Sequence, residues 1–138
     1  MEEAFRLLRC FVGRSQLGAL MEMVHGEEAA YYRDLIRTMV NRVATMPLYL
    51  TQDGKGMAAV AHLHYFRGTM HCYLTERDDC ALTAPQRQAF GWWNVGGGDF
   101  GMVDVPDLLA HGFELDLHFK PTTLHALCPD FAPPAGGS

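Results

Sequence analysis

The strongest constraint on the fold is a change in the spacing of apolar residues at Pro47. Before it, Phe5, Leu8, Phe11 and Val12 recur every three or four residues, and Gly13 breaks the run. Ser15 can cap a second short helix that carries Leu17, Leu20, Met21 and Val24, and Gly26 ends it. A third helix is expected from about Glu27, with Tyr32, Leu35, Ile36, Met39, Val40 and Val43 as its apolar face, and Pro47 terminates it.

After Pro47 the pattern belongs to strands. Leu48-Tyr49-Leu50 leads into a turn-rich stretch, Thr51 to Gly56, and Met57 to Phe66 then reads as a strand. Arg67-Gly68-Thr69 is a tight connection to an antiparallel partner, Met70 to Thr75. Glu76 to Gln88 reads as a surface connection with a helical turn after Thr83 and no core residues. Ala89 to Val95 and Phe100 to Val103 are expected as strands around Gly96-Gly97-Gly98-Asp99. Asp104 then caps a short helix with Pro106 in its first turn, Leu108 and Leu109 buried, and Gly112 as its stop. Phe113 to Phe119 alternates strictly, which predicts a half-buried strand with Glu114, Asp116 and His118 on its wet face. The fold class is therefore α+β: N-terminal helices packed on an antiparallel sheet of about four to five strands. Residues 1–130 are expected to form one domain, helical over 1–46 and sheet-rich over 47–130, with 131–138 expected as a flexible tail.

The 138 residues match one core of ordinary size, and 49% hydrophobic with 20% charged residues is the balance of a globular chain. A formal charge of −5 argues against direct nucleic-acid binding, which would need Arg33, Arg37, Arg42 and Lys55 to gather into one basic face. The four cysteines form no C-x-x-C pair and the N-terminus does not read as a signal peptide, so a reduced, cytoplasmic protein is expected. No apolar run approaches the ~20 residues of a transmembrane helix.

Seven histidines raise the question of a metal site. His62 and His64 share a strand face, and pairing Phe66 with Met70 would set His64 opposite Cys72 at a Cβ separation of roughly 5 Å. Asp116 and His118 share another face. Together His62, His64, Cys72, Asp116 and His118 make a candidate zinc set; as ordinary polar residues of a sheet face they would need no cofactor. Gly96 to Gly101 has no Gly-Lys-Ser/Thr opening a helix and no βαβ unit, Asp99 would repel phosphate, and between antiparallel strands the stretch reads as a hairpin tip. His71 and Cys72 are adjacent on a strand and point to opposite faces, so no activated thiol is expected. Consecutive Trp92 and Trp93 should send one indole into the core and one outward. With Tyr73 and the acids Glu76, Asp78, Asp79 and Asp99, they form the candidate partner-binding surface, fitted to a protein with a basic face.

From Pro47 onward, Pro47-Leu48-Tyr49, Gln52-Asp53-Gly54, His62-Leu63-His64-Tyr65-Phe66, Tyr73-Leu74-Thr75-Glu76, Gln88-Ala89-Phe90-Gly91 and Glu114 to Pro121 occur in an order that resembles a family of small proteins encoded on bacterial plasmids, integrative elements and phages. The resemblance covers about the last two thirds of the chain and departs at Phe100-Gly101-Met102, where the family commonly has Glu-Leu-Gly-Tyr. It implies a small α+β domain with an antiparallel sheet, and it brings no activity, cofactor or catalytic residue. It also implies accessory roles in a mobile genetic element: regulating its maintenance or transfer, or blunting host restriction and CRISPR defences through protein contacts. The leading expectation is a non-enzymatic interaction protein with a host or element protein as partner. A metal-dependent hydrolase built on the five candidate ligands is the alternative, and a two-fold homodimer is compatible with either.

Overall fold

The computed structural model describes residues 1–82, 87–94 and 97–128 and is of the α+β class. The expected helical turn after Thr83, part of the glycine-rich tip and the expected tail lie outside the described residues. Helices α1 (Glu2–Leu8), α2 (Arg14–Met23) and α3 (Ala29–Thr45) come first. Gly13, and not Ser15, occupies the N-cap of α2. In α3, Ile36, Met39 and Val43 fall on one buried stripe, as a helical period requires. Pro47 drives the preceding Met46 into an extended conformation, which ends the helix.

The main sheet runs β5-β4-β3-β2-β6, and every neighbouring pair is antiparallel. Its strands are β2 (Leu63–Arg67), β3 (Met70–Arg77), β4 (Gln88–Trp93), β5 (Asp99–Asp104) and β6 (Glu114–Leu115). A smaller pair joins β1 (Val60–Ala61) to β7 (Thr122–Thr123). A 3₁₀ turn, Gly56–Ala58, precedes β1, α4 (Val105–Ala110) follows β5, and α5 (Leu124–Leu127) follows β7. The alternation after Phe113 yields only a two-residue strand, because Asp116 turns the chain: its carboxylate accepts the His118 amide and its carbonyl accepts that of Phe119.

The helices cover one face of the sheet, burying Leu8, Phe11, Leu20, Ile36, Met39 and Val43 against Leu63, Tyr65, Cys72, Leu74, Ala89 and Leu115. Polar groups fasten the layers. The Tyr65 hydroxyl donates to the Phe11 carbonyl. Arg77, at the end of β3, donates from Nε to Val43 O (3.0 Å) and from Nη2 to Ala44 O (3.3 Å), placing a cation on the free carbonyls of α3. Gln16 of α2 donates to Leu115 O (2.7 Å) and accepts from Leu115 N (3.0 Å), so its amide occupies the outer edge of β6. Asp104 accepts the Asp107 amide at 3.0 Å, as expected of the α4 cap.

The hairpin register differs from the expected one. Arg67 pairs with Met70 around a two-residue loop, Gly68-Thr69, with Gly68 at φ +59°, a turn whose twist suits paired strands. His64 therefore lies opposite Tyr73, and Tyr65 opposite Cys72. A shift of one residue moves a side chain to the other face, so Cys72 sits in the helix-covered core and His64 on the far side of the sheet.

Candidate functional site

The face turned away from the helices holds the notable chemistry. Cross-strand pairing places His64, Tyr73, Trp92 and Phe100 in one row across four strands, β2 to β5. A second, smaller core of Met57, Ala59, Ala61, Phe119 and Leu124 closes over the middle of this row and buries Trp92 to 3% exposure. The glycine-rich stretch serves this packing: Gly98, at φ +96°, lies directly under the Trp92 ring, where a β-carbon would stand 2.0 Å from the indole.

At the β2–β3 turn end of the face the imidazoles line up. His64 Nδ1 is 3.0 Å from Asp116 Oδ2, and His64 Nε2 is 2.8 Å from His71 Nδ1. The His64 ring stacks on Tyr73 (4.7 Å, 14°) and lies nearly coplanar, edge to edge, with His71 (5.1 Å, 20°), with Phe119 tilted over both His64 and Tyr73. Burial lowers the His64 pKa, opposed by its hydrogen bond and charge contact with Asp116 and reinforced by His71. Burial likewise raises the Tyr73 hydroxyl, with Cys128 and Asp116 adding to the shift. The turn carrying Asp116 is pinned to α3, since the Tyr31 hydroxyl lies 2.7 Å from His118 Nε2 and Arg42 donates to the Phe119 carbonyl.

The five candidate metal ligands do not converge. His64 and Asp116 meet, but both ring nitrogens of His64 are engaged by Asp116 and His71. His118 turns to Tyr31, and burial, with a smaller contribution from the Arg42 charge, lowers the His62 pKa. Cys72 is on the opposite face, where burial pushes its thiol far above the usual range. Among the described residues no group of three His, Cys, Asp or Glu side chains is placed to hold a metal ion. With Cys72 fully buried and Cys80 exposed, a thiol-directed alkylating reagent is expected to modify Cys80 first and Cys72 only on unfolding, as peptide mass spectrometry would show. Early labelling of Cys72 would contradict its position.

The expected partner-binding residues scatter. Trp92 belongs to the second core, while Trp93 is half-buried on the helix side, edge-on to Phe113 at 5.7 Å. Glu76, 2% exposed, accepts the Gln52 amide at 2.8 Å. Asp78 is the counter-ion of Arg87, itself fully buried, so the 76–88 stretch does carry core. Tyr73 is half-buried in the imidazole stack, and Asp79 and Asp99 are exposed.

At the opposite end of the same face is a feature that the sequence reading passed over. Gln52 is clamped inside, donating to Val60 O and Thr75 O and accepting from Val60 N, whereas Leu50, two residues earlier, is 58% exposed. Leu50 adopts φ +77°, the one non-glycine residue with positive φ among the described residues. Tyr49 leans on Phe90 (5.8 Å), which stacks on Phe100 (6.0 Å, 7°), and Met102, 50% exposed, pairs with Phe90. Tyr49 and Met102 thus extend the aromatic row at Phe90 into exposed apolar surface, with exposed Leu48 and Leu50 on either side of Tyr49 in the chain and exposed Asp104 two residues beyond Met102. The available signal was the Leu48-Tyr49-Leu50 triplet beside a polar turn.

No helix among the described residues is long and apolar enough to cross a membrane. Comparison of the chain with family models, curated proteins and solved structures finds no match.

Proposed function

We propose that this protein is an accessory protein of a mobile genetic element that acts by binding a component of a host defence system, a restriction enzyme or a CRISPR effector, through the surface formed by Tyr49, Leu50, Phe90, Phe100 and Met102. The observation that carries this reading is Leu50. A branched, apolar residue in the left-handed region costs of order 1–3 kcal/mol, and folding alone would favour Gly or Asn there. Here that cost holds an apolar side chain in solvent beside other exposed apolar groups, and Gln52 locks the turn that presents it. Exposed apolar groups gathered on a rigid support favour association. Exposed Asp53, three residues past Leu50, exposed Asp104, two past Met102, and the net charge of −5 fit a partner with an apolar centre and a basic rim. The resemblance to proteins of plasmids, integrative elements and phages supplies the class of partner.

The test compares wild type with Leu50→Gly and Met102→Asp in hosts carrying one restriction or one CRISPR system. Wild type is expected to raise transformation by a targeted plasmid at least ten-fold in one of them, and the paired substitutions to abolish that gain. Leu50→Gly alone is expected to leave stability unchanged or raise it by up to about 1 kcal/mol, as relief of backbone strain would. Protection that survives both substitutions, or no protection against either system by wild type, would overturn the reading.

A further inference from the structure

We propose that Asp116, His64 and His71 form a proton relay with His71 Nε2 as its working atom, an acid–base centre that takes the proton of water or of a hydroxyl compound. The hydrogen-bond order dictates the tautomers. A carboxylate can only accept, so His64 must carry its proton on Nδ1, 3.0 Å from Asp116 Oδ2. In the neutral ring that burial of His64 favours, Nε2 is then a lone pair and accepts the 2.8 Å bond from His71 Nδ1–H. That leaves the remaining nitrogen of His71, Nε2, as a lone pair backed by a carboxylate through two hydrogen bonds, the orienting logic of a base held by a third group.

The parts are rigidly held. His71 lies on β3, its amide donating to Asn94 Oδ1 (2.8 Å) while the Asn94 side chain also donates to Thr69 O (3.1 Å). The His64 ring stacks on Tyr73 under Phe119 and is tied edge to edge to His71 by the 2.8 Å bond, and Asp116 is fixed by the His118 amide. Among the described residues no side-chain hydroxyl or thiol hydrogen-bonds His71 Nε2, and Cys72 lies across the sheet, so the nucleophile that this base would serve is water. In the step it supports, His71 Nε2 takes a proton from water as the water oxygen bonds to the carbonyl carbon of an activated ester. Collapse of the tetrahedral anion expels the alkoxide or phenoxide, and the imidazolium returns its proton to the leaving group or to solvent. The positive charge formed on His71 is balanced through His64 by Asp116. This centre is independent of the partner surface, which lies at the other end of the face.

The probe is p-nitrophenyl acetate with the untagged full chain. Hydrolysis is expected to exceed that by an equal concentration of free imidazole at least about ten-fold, to slow in heavy water, to fall to the imidazole level in His71→Gln, and to drop about ten-fold or more in Asp116→Asn. The exposed His25→Gln is expected to leave the rate unchanged. Nitrogen-15 spectra of the wild type read the relay without any substitution: His64 and His71 should both be protonated at Nδ1 and bare at Nε2. A proton on Nε2 of His71 at neutral pH, a rate no higher than imidazole, a rate indifferent to His71→Gln, or an acetyl group trapped on His71 in place of general-base catalysis would each overturn the proposal.

Discussion

Replacing Gly91 with alanine is expected to be the most damaging single-methyl change in the protein. A β-carbon there would stand 2.1 Å from the Tyr73 carbonyl oxygen and 2.9 Å from Leu74 Cα, and both are backbone of the central strand, which no rotamer change can move aside. The cause is the bulge at Thr75. The pairing of β3 with β4 shifts between Leu74 and Glu76, drawing the two strands together at Gly91. The cost should reach or exceed the upper end of the roughly 1–3 kcal/mol typical of overpacking, a large share of an ordinary domain stability of roughly 5–15 kcal/mol. Gly101, its partner on β5, is the matched control, with open space around the same added methyl. Urea melts should show Gly101→Ala within about 1 kcal/mol of wild type. Equal midpoints for the two variants would mean that the close approach at Gly91 is absent in solution.

Removing the carboxylate of Asp78 is expected to cost about 3–5 kcal/mol, because it would strand a buried cation. Arg87 has no exposed side-chain surface, while Asp78 keeps 19% of its own. The guanidinium bonds to Asp78 and to the carbonyls of Cys80 and Ala81, and lies 5.5 Å from the Phe11 ring centroid. Asp78 also accepts the amides of Gln88 (2.8 Å) and Cys80 (3.3 Å), so one carboxylate organises both ends of the 78–88 connection. Asp78→Ala should therefore be worse than the double variant Asp78→Ala, Arg87→Met, in which no charge is left behind. Because the pair is shielded from solvent, the loss should persist in 1 M salt. A loss below about 1 kcal/mol that disappears with salt is the signature of a surface ion pair and would contradict the buried placement.

The same two positions show how unevenly a sequence reports its structure. Local physics was legible along the chain: the 3.6-residue stripe of α3, the stop imposed by Pro47, the Asp104 cap and the antiparallel β2–β3 and β4–β5 pairs are each encoded by neighbours within a few residues. The α+β class follows from those signals alone. What spacing could not convey was any choice made between distant segments. Whether Gly68 and Thr69 alone form the β2–β3 turn decides the face on which Cys72 falls, and one residue of register separates a thiol beside His64 from a thiol in the core. The bulge at Thr75 inverts the alternation of β3, sending Glu76 to the aromatic face and Arg77 to the end of α3. The charged run after Glu76 looks solvated because charge usually is, yet Arg87 and Asp78 bury together since each supplies the partner the other needs. The meeting of Asp116 with His64, 52 residues apart, and the left-handed Leu50 were likewise decided by tertiary structure, where long-range packing overrides what each residue prefers alone.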